Sequence, residues 1–134
     1  MRILGLDIGD SRIGGALSDP QGMLASPLTI INRMDEPADV AAVEAIVRQH
    51  QVGRIIIGLP LSMDGSLGQQ AEKVKEFVEV LRRHIEVPVE FRDERLSTVS
   101  AKRMVQGVRR TAKGTRYDAM AAALILQGYL DEAL

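Results

Sequence analysis

The sequence predicts an α/β fold: a mixed five-stranded sheet with helices on both faces. Three observations lead there. The first 31 residues read as strands joined by tight turns. Two later runs, 54–58 and 87–91, read as strands, the first with the apolar character of a strand buried in a parallel sheet. Segments of helical period separate and follow those runs. The element order is βββαβαβαα, the plan of an antiparallel meander continued by helix–strand units.

Each element has its own signal. Ile3 to Ile8 is a buried strand, and Gly9-Asp10-Ser11 turns it into a second strand from Arg12 to Ser18. Asp19-Pro20-Gln21-Gly22 makes the next turn, into a third strand from Leu24 to Ile31. Gly15 stands where a bulkier strand residue is expected, which predicts a looser second strand. Val40, Val43, Ile46 and Val47 recur at helical spacing after the start at Asp35-Glu36-Pro37. Arg54 to Gly58 is the fourth strand, and Leu59 to Leu67 a loop of turn formers. Ala71, Val74, Phe77, Val78 and Leu81 mark a second amphipathic helix, and Val87 to Phe91 a fifth strand. A helix is predicted over Ser97 to Val105, a basic loop over Gly107 to Gly114, and a last, largely apolar helix from Thr115 to Leu130. Two early hairpins and the lack of a G-x-G-x-x-G or G-x-x-x-x-G-K motif argue against a dinucleotide-binding or P-loop unit.

One domain is expected over residues 1–134, with no linker, repeat or low-complexity tract. Aromatic residues are only 3%, so the core must be aliphatic. With no cysteine there can be no disulfide framework and no thiolate metal site. No stretch resembles a signal peptide or a membrane span, so a cytoplasmic protein without membrane partners is expected. The net charge of −1 does not suggest nucleic acid, but its distribution does. Arg95, Lys102, Arg103, Arg109, Arg110, Lys113 and Arg116 fall in one stretch free of acids. A solvated helix face and loop would give the same pattern.

The acids carry the chemistry. Asp7 sits between Leu6 and Ile8 in an otherwise apolar strand, although Asp disfavours strand interiors and an unpaired buried carboxylate is costly. A salt bridge or the start of a turn would explain it, and so would ligation of a hard divalent cation. Asp93-Glu94-Arg95 follows the fifth strand, at the end where open α/β sheets place ligands; solvated surface acids are the plainer alternative. Asp118 stands in the first turn of the last helix, where the helix dipole alone would favour an acid. Together, Asp7, the acids after strand five and Asp118 could hold one or two Mg²⁺ or Mn²⁺ ions for phosphodiester hydrolysis. Ser62-Met63-Asp64-Gly65-Ser66 could bind phosphate through backbone amides or be an ordinary turn. His50 and His84 lack metal-ligand spacing. D-x-G also opens sugar kinases and actin-like ATPases, which need two such domains and more length.

LGLDIGDSRIGGALSD, IIIGLPLSMDGSLGQQAEKV, FRDERLSTVSA and YDAMAAALILQGYL together resemble the YqgF-like pre-16S rRNA nucleases, a family also described as Holliday junction resolvases and similar in fold to RuvC-type resolvases. The resemblance spans nearly the whole chain, in order and spacing. It implies a ribonuclease H-like fold and processing of the 5′ end of small-subunit rRNA precursor. It also implies Asp7, Glu94 and Asp118 as catalytic metal ligands for Mg²⁺ or Mn²⁺, with Gly9, Asp10 and Asp93 supporting them. Arg12 and the basic residues from Arg95 to Arg116 are then expected to grip nucleic acid. Two alternatives remain: a resolvase cutting branched DNA as a homodimer, and a non-catalytic RNA-binding assembly factor. A monomer would count against the resolvase.

Overall fold

A computed structural model of the chain describes residues 1–62, 64–94 and 115–133, the side chains of 115–118 excepted. Five strands form one sheet: β1 (Arg2–Ile8), β2 (Arg12–Ser18), β3 (Ala25–Asn32), β4 (Val52–Leu59) and β5 (Val89–Asp93). Helices α1 (Glu36–Gln49) and α2 (Gln69–His84) lie in the two crossovers, and α3 (Thr115–Ala133) follows. The helix predicted over 97–105 and the basic loop over 107–114 lie outside the described residues. The spatial order is β3-β2-β1-β4-β5. β1 pairs antiparallel with β2 and parallel with β4, and β5 pairs parallel with β4.

Sheet alternation sorts the side chains into two layers. Leu4, Leu6 and Ile8 of β1 join Ile55 and Ile57 of β4 against Val43 of α1 and Val74, Phe77, Val78 and Leu81 of α2. On the other face Ala16 and Ile56 pack with Ala122, Ala123, Leu126 and Leu130 of α3. Small residues let α3 seat close to the sheet. A Cβ on Gly5 would stand 2.7 Å from Leu126 Cβ, so only glycine fits beneath the helix there.

Cap chemistry agrees with the sequence: Asp35 accepts the Ala38 N–H at the start of α1, with Pro37 in the first turn. Three local details qualify the sequence reading. β5 begins at Val89 rather than Val87; Pro88 has no N–H, although its carbonyl accepts Ile55 N–H at 2.9 Å. Pro27 is tolerated within β3 because that strand is an edge. Gly15 does not detach β2, since it pairs with Leu6 on one side and Thr29 on the other. The irregularity instead falls just after it, where the register with β3 shifts between Gly15 and Ala16.

Candidate metal centre

Asp7 is the penultimate residue of β1, and alternation with Leu6 and Ile8 turns it toward the α3 face. Glu94 directly follows β5. The two strands are not neighbours, because β4 runs between them. The carboxyl groups nevertheless meet, and Glu94 shares a side-chain hydrogen bond with Asp7. Gly58 of β4 makes this possible: a Cβ there would stand 2.6 Å from Glu94 Oε1 and 2.6 Å from Ile125 Cδ1. Glu94 therefore lies across a bare stretch of backbone between the sheet and α3.

Burial raises the Glu94 carboxyl from its ordinary 4.5 to about 7, helped by the Asp7 charge, the hydrogen bond to Asp7 and the Asp93 charge. Two carboxylates so close in a partly dry site repel each other, and a proton relieves the repulsion. A divalent cation would relieve it better, and an all-oxygen donor set suits Mg²⁺ or Mn²⁺. The residues present thus fit such an ion.

Asp118 lies in the first turn of α3, and its side chain is outside the described residues. The direction of the helix is clear from its later contacts. Gln127 Oε1 accepts Ala25 N–H at 2.9 Å, and Tyr129 hydroxyl accepts from Arg54 Nη1 at 3.0 Å, both toward the amino end of β1. α3 therefore runs antiparallel to β1. Ala122 and Leu126 lie over Gly5. From there Asp118 is one helical turn, about 6 Å, and Asp7 two strand residues, about 6.6 Å, toward the same end of the sheet. Among the described residues no group of three His, Cys, Asp or Glu forms a metal cluster; the described part is the Asp7–Glu94 pair with Asp93 beside it.

The residues expected to support the pair are placed as follows. Gly9 N–H donates to the Arg12 carbonyl at 2.9 Å, closing the β1–β2 turn. Arg12 is half-buried at the start of β2. Asp10 is exposed and reaches away from the pair, its Oδ1 3.6 Å from Lys73 Nζ of α2. Asp93 pairs with Leu59 as the last residue of β5. Asp64 organises its own loop, its Oδ1 accepting Ser66 N–H at 2.9 Å and Ser66 hydroxyl at 2.7 Å. Arg95, Lys102, Arg103, Arg109, Arg110 and Lys113 lie outside the described residues, as does the side chain of Arg116. Sequence reading passed over Gly58, although a glycine ending the apolar run Ile55-Ile56-Ile57 was the available signal.

The family described as RuvX, Holliday junction resolvase, matches residues 1–132. The chain belongs to the RuvX family. A Dehalococcoides mccartyi relative is 49% identical, with 93% of this chain and 94% of the relative covered. A Desulforamulus reducens relative is 46% identical, with 98% of this chain and 97% of the relative covered. Both carry the name "Putative pre-16S rRNA nuclease". Among solved structures, T. thermophilus RuvC in complex with a Holliday junction substrate aligns with a TM-score of 0.66 at 15% identity, covering 99% of this chain and 96% of that one. The fowlpox virus resolvase with Holliday junction DNA aligns at 0.62 and 12%, covering 100% and 99%. This RuvX-family chain therefore has the ribonuclease H-like fold of the RuvC resolvases. Among the described residues, no helix is long and apolar enough to cross a membrane.

Proposed function

We propose that this chain is a metal-dependent nuclease that hydrolyses phosphodiesters near the 5′ end of pre-16S rRNA, in the cytoplasm. One observation carries the reading: Asp7 and Glu94 share a hydrogen bond over Gly58, at the carboxyl ends of parallel strands. The names of the curated relatives support rRNA as the substrate. In this reading residues 1–134 form a single nuclease domain.

In this reading Asp7, Glu94 and Asp118 hold Mg²⁺ or Mn²⁺ through carboxylate oxygens. The bound ion supplies Lewis acidity to the attacking water and to the leaving oxygen of the phosphodiester. Holding the ion would require the Glu94 carboxyl, which burial and the Asp7 charge keep protonated up to about pH 7, to give up its proton. Gly58 keeps the space that the Glu94 carboxyl occupies. Asp93 adds negative charge beside the pair, and Gly9 and Asp10 form the turn that follows Asp7. Arg12, with Arg95, Lys102, Arg103, Arg109, Arg110, Lys113 and Arg116, contacts the phosphate backbone.

A second reading is a Holliday junction resolvase, favoured by the family description and by the junction-bound RuvC neighbour. It requires a homodimer to cut two strands symmetrically, whereas a monomer suffices for RNA trimming. Labelled pre-rRNA fragments and four-way DNA junctions, each with and without Mn²⁺, distinguish the two. Mn²⁺-dependent cleavage of RNA supports the first reading, and paired symmetric cuts in the junction support the second. Cleavage of neither, with RNA still bound, would leave a non-catalytic assembly factor.

A further inference from the structure

Behind the β1–β2 turn lies an ion pair between half-buried Arg33 and buried Asp39 that neither the nuclease reading nor the sequence motifs use. Asp39 of α1 is one of only two buried polar side chains among the described residues. Its carboxylate accepts Arg33 Nε at 3.0 Å and Met34 N–H at 3.0 Å. Arg33 in turn donates from Nη1 to the Gly9 carbonyl at 2.9 Å. The guanidinium is seated over the Phe77 ring of α2, 5.1 Å from its centroid. Arg33 N–H also donates to the Ser11 carbonyl at 2.9 Å, on the other side of the same turn.

Asp39 and Phe77 thus meet at the Arg33 guanidinium, which holds the Gly9 carbonyl, two residues beyond Asp7. Burying an ion pair is weak evidence for stability, because desolvation offsets much of the attraction. What this pair does provide is direction. Asp39 and Phe77 fix the plane of the Arg33 fork, and the fork fixes the Gly9 carbonyl through a charge-assisted bond. The turn is held from both sides, so the exit of β1 and the Asp7 carboxylate keep one orientation.

We propose that Arg33, locked by Asp39, is a positioning residue that orients Asp7 for divalent-cation binding. This rests on the proposed metal role of Asp7. Partners of this kind tune ligand geometry without touching the ion, and their loss typically weakens metal binding about 10–100-fold.

The test is Mn²⁺ titration of the intact chain, read by the electron paramagnetic resonance of free Mn²⁺, beside steady-state cleavage kinetics. Arg33→Met should weaken Mn²⁺ binding by about tenfold or more. It should lower kcat at fixed Mn²⁺ with KM for RNA unchanged, and excess Mn²⁺ should restore the rate. Arg33→Lys, which keeps one charged donor for the Gly9 carbonyl, should fall between the two; it also decides the matter should Arg33→Met not fold. Arg54→Met is the control: it removes another, more exposed ion pair, Arg54 Nη1 to Glu90 Oε1 at 2.6 Å, remote from Asp7. It should cost stability and leave Mn²⁺ affinity unchanged. Folded Arg33→Met or Arg33→Lys with wild-type Mn²⁺ affinity overturns the proposal and leaves the metal reading standing. Equal Mn²⁺ binding by wild type and Asp7→Asn removes the metal reading, and the positioning role with it.

Discussion

The carboxyl groups of Asp7 and Glu94 share a hydrogen bond across a strand that belongs to neither of them. β4 runs between β1 and β5, and its Gly58 has no side chain to hold the two acids apart. The pair is therefore a product of the whole sheet: parallel pairing brings both strand ends to one edge, and a bare backbone position lets them meet.

Removing one acid tests its chemistry. Asp7→Asn keeps the shape of the side chain and deletes its charge, so the fold should persist while cleavage falls below detection. Circular dichroism and cleavage of labelled RNA with Mn²⁺ would show this. Cleavage undiminished in a folded Asp7→Asn protein contradicts the ligand role.

Filling the gap tests its geometry. In Gly58→Ala the new methyl would stand 2.6 Å from both Glu94 Oε1 and Ile125 Cδ1, so one of them must move. Overpacking of this kind costs about 1–3 kcal/mol. A lower urea midpoint should accompany a loss of Mn²⁺-dependent cleavage larger than the loss of folded protein explains.

Protonation gives the pair a pH signature. Glu94 binds a proton near pH 7 in the folded chain, but near its ordinary 4.5 when unfolded. Between those values the folded state carries more protons, so the contribution of Glu94 to stability is fully present below about 4.5 and is lost as pH rises through 7. The melting temperature of metal-free protein should fall across that window more steeply in wild type than in Asp7→Asn, which lacks the repelling charge. Saturating Mn²⁺ should remove the fall. Parallel pH profiles for the two proteins would contradict the coupling.

Salt dependence reads the basic residues. Each phosphate contact on single-stranded nucleic acid contributes roughly 0.7 to the slope of log affinity against log salt. Replacing Arg109 and Arg110 by Ala should flatten that slope by about 1.4 for RNA. An unchanged slope would show that they do not touch phosphate.

Much of this was legible in the sequence because the signals were local. Turn residues and apolar periods marked all five strands, α1, α2 and α3, and Asp7 stood out as an acid among Leu6 and Ile8. The misplaced start of β5 has a local cause as well, the missing N–H of Pro88. What could not be read were relations between distant elements. Gly58 matters only because Glu94 crosses it, and nothing local marks Arg33 or Asp39, whose link appears only where Phe77 and the Gly9 carbonyl close around them.

The most direct test of the metal centre is a crystal of this chain soaked in Mn²⁺, with anomalous diffraction recorded at the manganese edge. The account predicts a peak about 2 Å from carboxylate oxygens of Asp7, Glu94 and Asp118. An empty pair at saturating Mn²⁺, or a peak held by other residues, would contradict it.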